Sequence, residues 1–146
     1  MIRALCIDTG DKRVGLAISG PGGMVLGLPL LERREWDDDL DTLAELVAEK
    51  NAEFVVVGLP LNMDGSEGPR AKIAREFGDA LAVRIAVPLE YWDERLSSVE
   101  AADRLKGFKM SKGAKRAHTN TVAAQVILES WLKGREPNDR TMGSNG

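Results

Sequence analysis

Thiol and imidazole side chains are scarce in this chain of 146 residues, which contains one cysteine, Cys6, and one histidine, His118. A single cysteine cannot form a disulfide within the chain, and it cannot build a zinc site from several thiolates. These absences exclude a disulfide-stabilised secreted module and a thiolate zinc module. The chain must therefore rely on an ordinary hydrophobic core, for which its length is sufficient.

Long hydrophobic runs are also missing, since no apolar stretch approaches the roughly 18 residues of a membrane-spanning helix. The apolar segment at residues 2–7 is followed at once by Asp8, unlike a signal peptide. We therefore expect a cytoplasmic protein with no membrane partner. The hydrophobic content of 43% and charged content of 29% are typical of a globular protein. We expect one domain at residues 1–134, followed by a flexible polar tail at residues 135–146.

The net charge of −3 is small, but it is unevenly distributed. Residues 32–53 contain nine acidic and three basic side chains, whereas residues 104–116 contain six basic side chains and no acidic one. A basic segment is what a nucleic-acid backbone requires of its partner. A solvated loop would have the same composition, so the segment alone does not decide between the two interpretations.

Hydrophobic periodicity predicts the element order β-β-β-α-β-α-β-α-α. The first thirty-one residues indicate three strands separated by glycine- and proline-containing turns, which is typical of an antiparallel meander. The remaining elements are two strands at residues 54–57 and 85–92 and four helices at residues 37–50, 66–82, 97–107 and 119–133. This order predicts an α/β protein with a mixed five-stranded sheet and helices on both faces. It is the order of the RNase H-like (ribonuclease H-like) fold.

Polar side chains follow three of the predicted strands. Asp8 ends the first strand, a loop containing Asn62 follows the fourth, and the sequence Asp93-Glu94-Arg95 follows the fifth. Ligands of α/β sheets bind at the carboxyl ends of strands, where carboxylates can hold Mg²⁺ against a phosphate. Each segment taken alone also fits a structural role, such as an Asx turn or a surface ion pair. Because side chains alternate along an extended strand, only one of Asp93 and Glu94 is expected to point at Asp8.

Four segments of the chain, taken together and in order, resemble the YqgF/RuvX family of bacterial RNase H-like nucleases. They are DTGDKRVGLA at residues 8–17, GLPLNMDG at residues 58–65, DERLSS at residues 93–98 and the pair Ala123-Ala124. The likeness covers residues 2–133. It implies a nuclease of a kind first described as a Holliday-junction resolvase and now linked mostly to maturation of the 5′ end of pre-16S rRNA.

The resemblance also implies a set of site residues. Asp8 would be the central carboxylate and Glu94 the second, and a third would lie three residues before the alanine pair, where this chain has Asn120. An amide oxygen can still ligate Mg²⁺ or Mn²⁺, but it brings no negative charge, so one metal position should be weakened. Three interpretations stay open: a modified metal site that favours Mn²⁺, nucleic-acid binding with little catalysis, and an asparagine introduced to trap a substrate. The acids Asp8 and Glu94 and the arginine Arg95 favour the first.

We therefore predict a metal-dependent hydrolase of phosphodiester bonds that acts on structured RNA, with pre-16S rRNA as the leading candidate. Mg²⁺ or Mn²⁺ would be held by Asp8, Glu94, Asp93 and Asn120. Contacts to nucleic acid would come from Arg13, Asn62, Arg95, Lys106, Lys109, Lys112, Lys115 and Arg116. One alternative is a DNA nuclease acting on branched or single-stranded DNA, for which resolution of a junction requires a homodimer. The other is a weakly catalytic RNA-binding module of ribosome assembly.

Overall fold

The computed structural model of the chain describes residues 2–96 and 112–135, and it describes residues 112–120 through the backbone alone. The helix predicted at residues 97–107 and the predicted RNA contacts Lys106 and Lys109 lie outside the described residues. So does the polar tail beyond residue 135.

Five strands form one mixed sheet in the order β3-β2-β1-β4-β5. The strands are β1 (Ala4–Thr9), β2 (Arg13–Ser19), β3 (Val25–Glu32), β4 (Phe54–Leu59) and β5 (Leu89–Asp93). The first three pair antiparallel, as the meander predicted, while β1, β4 and β5 run parallel. The fifth strand begins four residues later than predicted, directly after Pro88, which has no N–H for a strand ladder. The mixed five-stranded sheet is thus confirmed.

Three helices are described: α1 (Trp36–Glu49), α2 (Pro69–Ala82) and α3 (Lys112–Arg135). The last helix begins seven residues before its predicted start at residue 119. The second half of the basic segment is therefore helical, which corrects the predicted loop, and its lysines, arginine and alanine are good helix formers. None of the described helices has the length and apolar character needed to span a membrane.

The alternation of side chains along β1 divides the core into two layers. Leu5 and Ile7 pack on the face covered by α1 and α2, against a cluster that includes Leu40, Leu43, Phe77 and Leu81. Ala4 and Cys6 pack on the opposite face against Ala124, Ile127, Leu128 and Trp131 of α3. Asp8 continues the even-numbered series, so its side chain lies on the face that α3 covers.

A buried ion pair fixes the turn between β1 and β2 to the start of α1. Asp39 is fully buried, and its carboxylate accepts hydrogen bonds from Arg33 Nε at 2.9 Å and from the backbone N–H of Arg34 at 3.1 Å. Arg33 also donates through Nη1 to the carbonyl oxygen of Gly10 at 2.8 Å. Both charges are thus satisfied inside the protein, which is the condition for burying them without a large penalty.

Candidate active site at the carboxyl edge of the sheet

Two acids from different strands meet at the carboxyl edge of the parallel strands. Asp8 is the fifth residue of β1, and Glu94 opens the short 3-10 helix Glu94–Leu96 that follows β5. Strand β4 lies between them, and its register with β1 places Gly58 beside Asp8. A Cβ atom on Gly58 would lie 2.7 Å from Glu94 Oε2. The glycine therefore leaves the space through which Glu94 reaches across β4 towards Asp8.

The electrostatics of Asp8 reflect this encounter with a second acid. Burial is the largest cause that raises the pKa of Asp8 well above its usual range, followed by the negative charge of Glu94 and a hydrogen bond with the Glu94 side chain. The positive charge of Arg70 opposes this rise in pKa. A hydrogen bond between two carboxyl groups requires one proton, because two carboxylates have no donor between them. The pair therefore holds a proton or another positive charge.

Cys6 lies two residues before Asp8, on the same face of β1, and it is fully buried. Burial raises the pKa of its thiol well above the ordinary value, and the charges of Asp8 and Glu94 raise it further. The thiol thus stays protonated and serves as a small apolar side chain. Within the described residues no group of three or more His, Cys, Asp or Glu side chains could hold a metal, so the acids of the site form a pair.

Asp93 occupies a different environment from Glu94. Its carboxylate accepts hydrogen bonds from Nη2 of Arg95 at 2.7 Å and from the backbone N–H of Arg95 at 2.9 Å. These bonds, with the charge of Arg95, lower the pKa of Asp93 below its usual value. Adjacent acids therefore have separate partners: Asp93 is paired with Arg95, whereas Glu94 meets Asp8.

The loop between β4 and α2 is closed by its own polar side chains. Asn62 donates through Nδ2 to Ser66 Oγ at 3.0 Å, and the Ser66 hydroxyl donates to Asp64 Oδ1 at 2.6 Å. The hydrogen bonds from Ser66 lower the pKa of Asp64. Gly65, at the tip, has a φ of 90°, a conformation that favours glycine. The Asn62 side chain, predicted to orient a phosphate, is thus engaged within the loop.

The remaining predicted contact residues are dispersed around this edge. Arg13 forms a surface pair with Glu32 at 3.4 Å. Lys112, Lys115 and Arg116 lie in the first turns of α3. Asn120 lies further along α3, four residues before Ala124, whose side chain is buried against the sheet. The chain path therefore brings the end of the basic segment and Asn120 onto the helix that covers the face of Asp8.

Two residues of the site were missed from the sequence. Gly58 was given no role beyond its place in the segment at residues 58–65, although the close approach of Glu94 makes it a condition for the acid pair. Arg70, whose charge acts on Asp8, was not singled out. Its position as the second residue of a helix after a strand-end loop was the available signal, since such residues lie at the ligand edge of an α/β sheet.

Comparison with solved structures defines the class of protein. The fold matches Thermus thermophilus RuvC in complex with a Holliday junction substrate, with a TM-score of 0.63 at 13% identity, covering 93% of this chain and 98% of that chain. A second Thermus thermophilus RuvC structure gives a TM-score of 0.56 at 14% identity, covering 91% of this chain and 96% of that chain. At such identities the likeness establishes the fold, which is the predicted RNase H-like fold of a resolvase.

Sequence comparison narrows the class to a family. A relative from Myxococcus xanthus is 43% identical over 94% of this chain and 92% of its own length, and one from Synechocystis sp. is 38% identical over 99% and 95%. Both are named "Putative pre-16S rRNA nuclease". The profile of the family described as "RuvX: Holliday junction resolvase" matches residues 2–134. The chain belongs to the RuvX family, a nuclease family, and it is a hydrolase of phosphodiester bonds, as predicted.

Proposed function

We propose that this RuvX-family nuclease cleaves structured RNA and that its substrate is precursor 16S rRNA, during ribosome biogenesis. The observation that carries the proposed site is the meeting of Asp8 and Glu94 at the carboxyl edge of the sheet. The relatives' shared name supports the choice of RNA, since they are 38% and 43% identical over nearly the whole chain. Nucleic acid is the partner class of the family.

The acid pair fits a divalent cation of the hard type. Two carboxyl groups supply oxygen ligands, and their mutual repulsion in a partly buried place is relieved when a cation replaces the shared proton. Asn120, on the helix over the same face, would add a neutral oxygen. When bound there, Mg²⁺ or Mn²⁺ would supply the positive charge that stabilises phosphodiester oxygens and lowers the pKa of water. We infer that Asp8 and Glu94 are the principal ligands.

Asp93 has another part in this scheme. Because its carboxylate already binds the Arg95 guanidinium through a charge-assisted pair, we assign it to holding Arg95 rather than to holding the cation. Lys112, Lys115 and Arg116 would provide positive charge along the start of α3 for the RNA backbone. The net charge of −3 is compatible with this role because the cation neutralises the acids that would otherwise repel phosphate.

A cleavage assay tests the proposed function. The purified protein is incubated with a 5′ pre-16S RNA segment, single-stranded DNA and a four-way DNA junction, each with Mg²⁺ or Mn²⁺. We expect the RNA to be cut by the wild type and left intact by Asp8→Ala. Asp11→Ala, which removes an exposed acid from the neighbouring turn, is the matched control and should retain activity. Activity that survives Asp8→Ala contradicts the assignment of the site.

The same assay decides the alternatives. Cleavage confined to the four-way junction would favour a DNA resolvase. The family description and the RuvC-like fold are the observations that favour this alternative. That function also requires a homodimer, which sedimentation would detect. If no substrate is cut by either the wild type or Asn120→Asp, the protein is instead an RNA-binding assembly module.

Asn120→Asp tests how the amide limits the site. A third carboxylate should strengthen cation binding, so we expect a higher rate at limiting Mg²⁺ and a smaller difference between Mg²⁺ and Mn²⁺. The measurement is the initial cleavage rate of the RNA as a function of cation concentration. An unchanged concentration dependence would show that Asn120 takes no part in holding the cation.

A further inference from the structure

Two arginines lie close to the acid pair, and they differ in what surrounds their side chains. Arg95 follows Glu94 in the chain, while Arg70 is the second residue of α2. From the sequence, Arg95 is the arginine predicted to contact nucleic acid, and Arg70 has no predicted role. The contacts of the two guanidinium groups indicate the reverse: Arg70 is the better candidate for binding nucleic acid, and Arg95 has a structural role.

The guanidinium of Arg95 is exposed, but each of its nitrogens donates a hydrogen bond within the protein. Nε donates to Asp93 Oδ2 at 3.0 Å, and Nη2 donates to the same oxygen at 2.7 Å. Nη1 donates to the carbonyl oxygen of Met63 at 3.0 Å. Arg95 thereby connects the 3-10 turn that carries Glu94 to the loop between β4 and α2. Turning it towards a phosphate would break a charge-assisted pair and release that loop.

The side chain of Arg70 is exposed as well, but it makes no hydrogen bond or ion pair with the described part of the chain. Pro69 is the first residue of α2, so Arg70 lies in the first turn of the helix that follows the loop after β4. Its charge reaches Asp8, whose pKa it lowers against the larger effects of burial and Glu94. Arg70 is thus a cation whose charge acts on Asp8 and whose donors are engaged by none of the described side chains.

We propose that Arg70 is the residue that binds a substrate phosphate at this site, and that Arg95 is a positioning residue that holds Glu94 and the adjoining loop. The inference rests on the proposed function, in which the Asp8–Glu94 pair cleaves a phosphodiester. A guanidinium binds phosphate through two parallel hydrogen bonds and remains charged at any physiological pH. Arg70 would therefore bring a phosphate of the RNA to the edge where the two acids lie.

Salt dependence of RNA binding tests the phosphate contact directly. Binding of the 5′ pre-16S RNA segment is followed by fluorescence anisotropy from low to high salt in EDTA, so that no cleavage occurs. Each lost phosphate contact reduces the slope of log K against log salt by about 0.7–0.9. We expect this reduction for Arg70→Gln, with affinity about tenfold weaker at low salt, and an unchanged slope for Arg95→Gln. Arg70→Lys should keep the slope, since a lysine also binds phosphate.

Lys72→Gln is the matched control, because it removes the same charge from an exposed position on the same helix. Two residues along a helix correspond to a rotation of about 200°, so Lys72 lies on a different side from Arg70. Its slope should equal that of the wild type. Equal losses of slope in Arg70→Gln and Lys72→Gln would overturn the proposal, since the effect would then come from diffuse charge.

Cleavage kinetics test the positioning role of Arg95. We expect Arg95→Gln to lower kcat by about 10–100-fold, the usual cost of losing a residue that orients a ligand, with little change in KM. Arg95→Lys should not restore kcat, since an ammonium cannot form the forked pair with Asp93. Arg70→Gln should instead raise KM. Melting curves confirm that each variant is folded.

The outcomes separate this inference from the proposed function. A slope that falls in Arg95→Gln and stays unchanged in Arg70→Gln overturns the division of roles. If the wild type cuts no substrate, the proposed function fails, while the salt dependence of RNA binding still decides whether Arg70 contacts phosphate.

Discussion

Two carboxylates, the fully buried Asp39 and the partly buried Asp8, have opposite surroundings. Asp39 accepts hydrogen bonds from Arg33 and from a backbone N–H, so the fold itself supplies its counter-charge. Asp8 meets a second acid, Glu94, and its pKa is raised by burial and by that acid. The fold thus satisfies one carboxylate completely and brings another into repulsion. Arg70 only partly offsets this repulsion, and an acid whose charge the fold leaves largely uncompensated is a candidate for function, because a ligand can supply the missing charge.

The largest expected effect is on catalysis at Asp8. Asp8→Asn keeps the size of the side chain and removes its charge, so we expect a loss of RNA cleavage greater than about 100-fold, beyond the usual cost of losing a supporting residue. The cation-free protein should be at least as stable as the wild type, because the repulsion with Glu94 disappears. The measurements are cleavage rate and melting temperature in EDTA.

Asp11→Asn is the control for this change, since Asp11 is exposed on the following turn. It should leave both measurements unchanged. A marked loss of stability in Asp8→Asn would contradict the contrast between the two acids, because Asp8 would then be a structural residue like Asp39.

The same chemical change at Asp39 should have the reverse result. Asp39→Asn leaves the largely buried Arg33 guanidinium without its counter-charge, which we expect to cost about 3 kcal/mol of unfolding free energy. Urea denaturation measures this loss. Cleavage per folded molecule should stay at the wild-type level below the transition. A variant of full stability but low activity would show that Asp39 belongs to the active site.

A smaller effect on stability and cleavage is expected from Gly58→Ala, which tests whether the short distance between Asp8 and Glu94 is needed. The added methyl group would lie 2.7 Å from Glu94 Oε2 and 2.9 Å from Ile127 Cδ1, so Glu94 must move away from Asp8. We expect a stability cost of about 1–3 kcal/mol and reduced cleavage. Gly20→Ala is the control, because a Cβ there has no atom nearer than Arg3 Nη1 at 4.0 Å. Full cleavage by Gly58→Ala would show that the close pair is dispensable.

The sequence predicted the sheet well because alternation and short apolar runs determine strands locally. It predicted Asp8 and Glu94 through the rule that ligands lie at strand ends and through the family resemblance. It left open whether Asp93 would form an ion pair with Arg95 or hold a metal, since the position of the Arg95 side chain also involves the Met63 carbonyl, thirty-two positions away. Arg70 was missed for the same reason: its approach to Asp8 depends on how α2 packs beside the sheet.

The start of α3 shows a second limit of prediction from the sequence, which concerns where a helix begins. The helices predicted at residues 97–107 and 119–133 left a loop between them, whereas the described part of the basic segment, from Lys112, is helical. Lysine and arginine are common in loops and are also good helix formers, so composition alone could not decide. The apolar stripe that marks the helix begins only with Val122 and Ala124. Helical structure therefore extends further than its hydrophobic pattern.

The smallest expected effect is on stability in the presence of a cation, and it compares the two carboxylates without any catalysis. A ligand that binds only the folded protein stabilises it by RT ln(1 + [L]/Kd), which is about 1.4 kcal/mol at a tenfold excess over Kd. Mn²⁺ or Mg²⁺ should therefore raise the melting temperature of the wild type and of Asp39→Asn by similar amounts. Asp8→Asn should show no such rise, because its partner Glu94 alone offers a single carboxylate. A cation that stabilises Asp8→Asn as much as the wild type binds elsewhere, and the repulsion between Asp8 and Glu94 would then need another explanation.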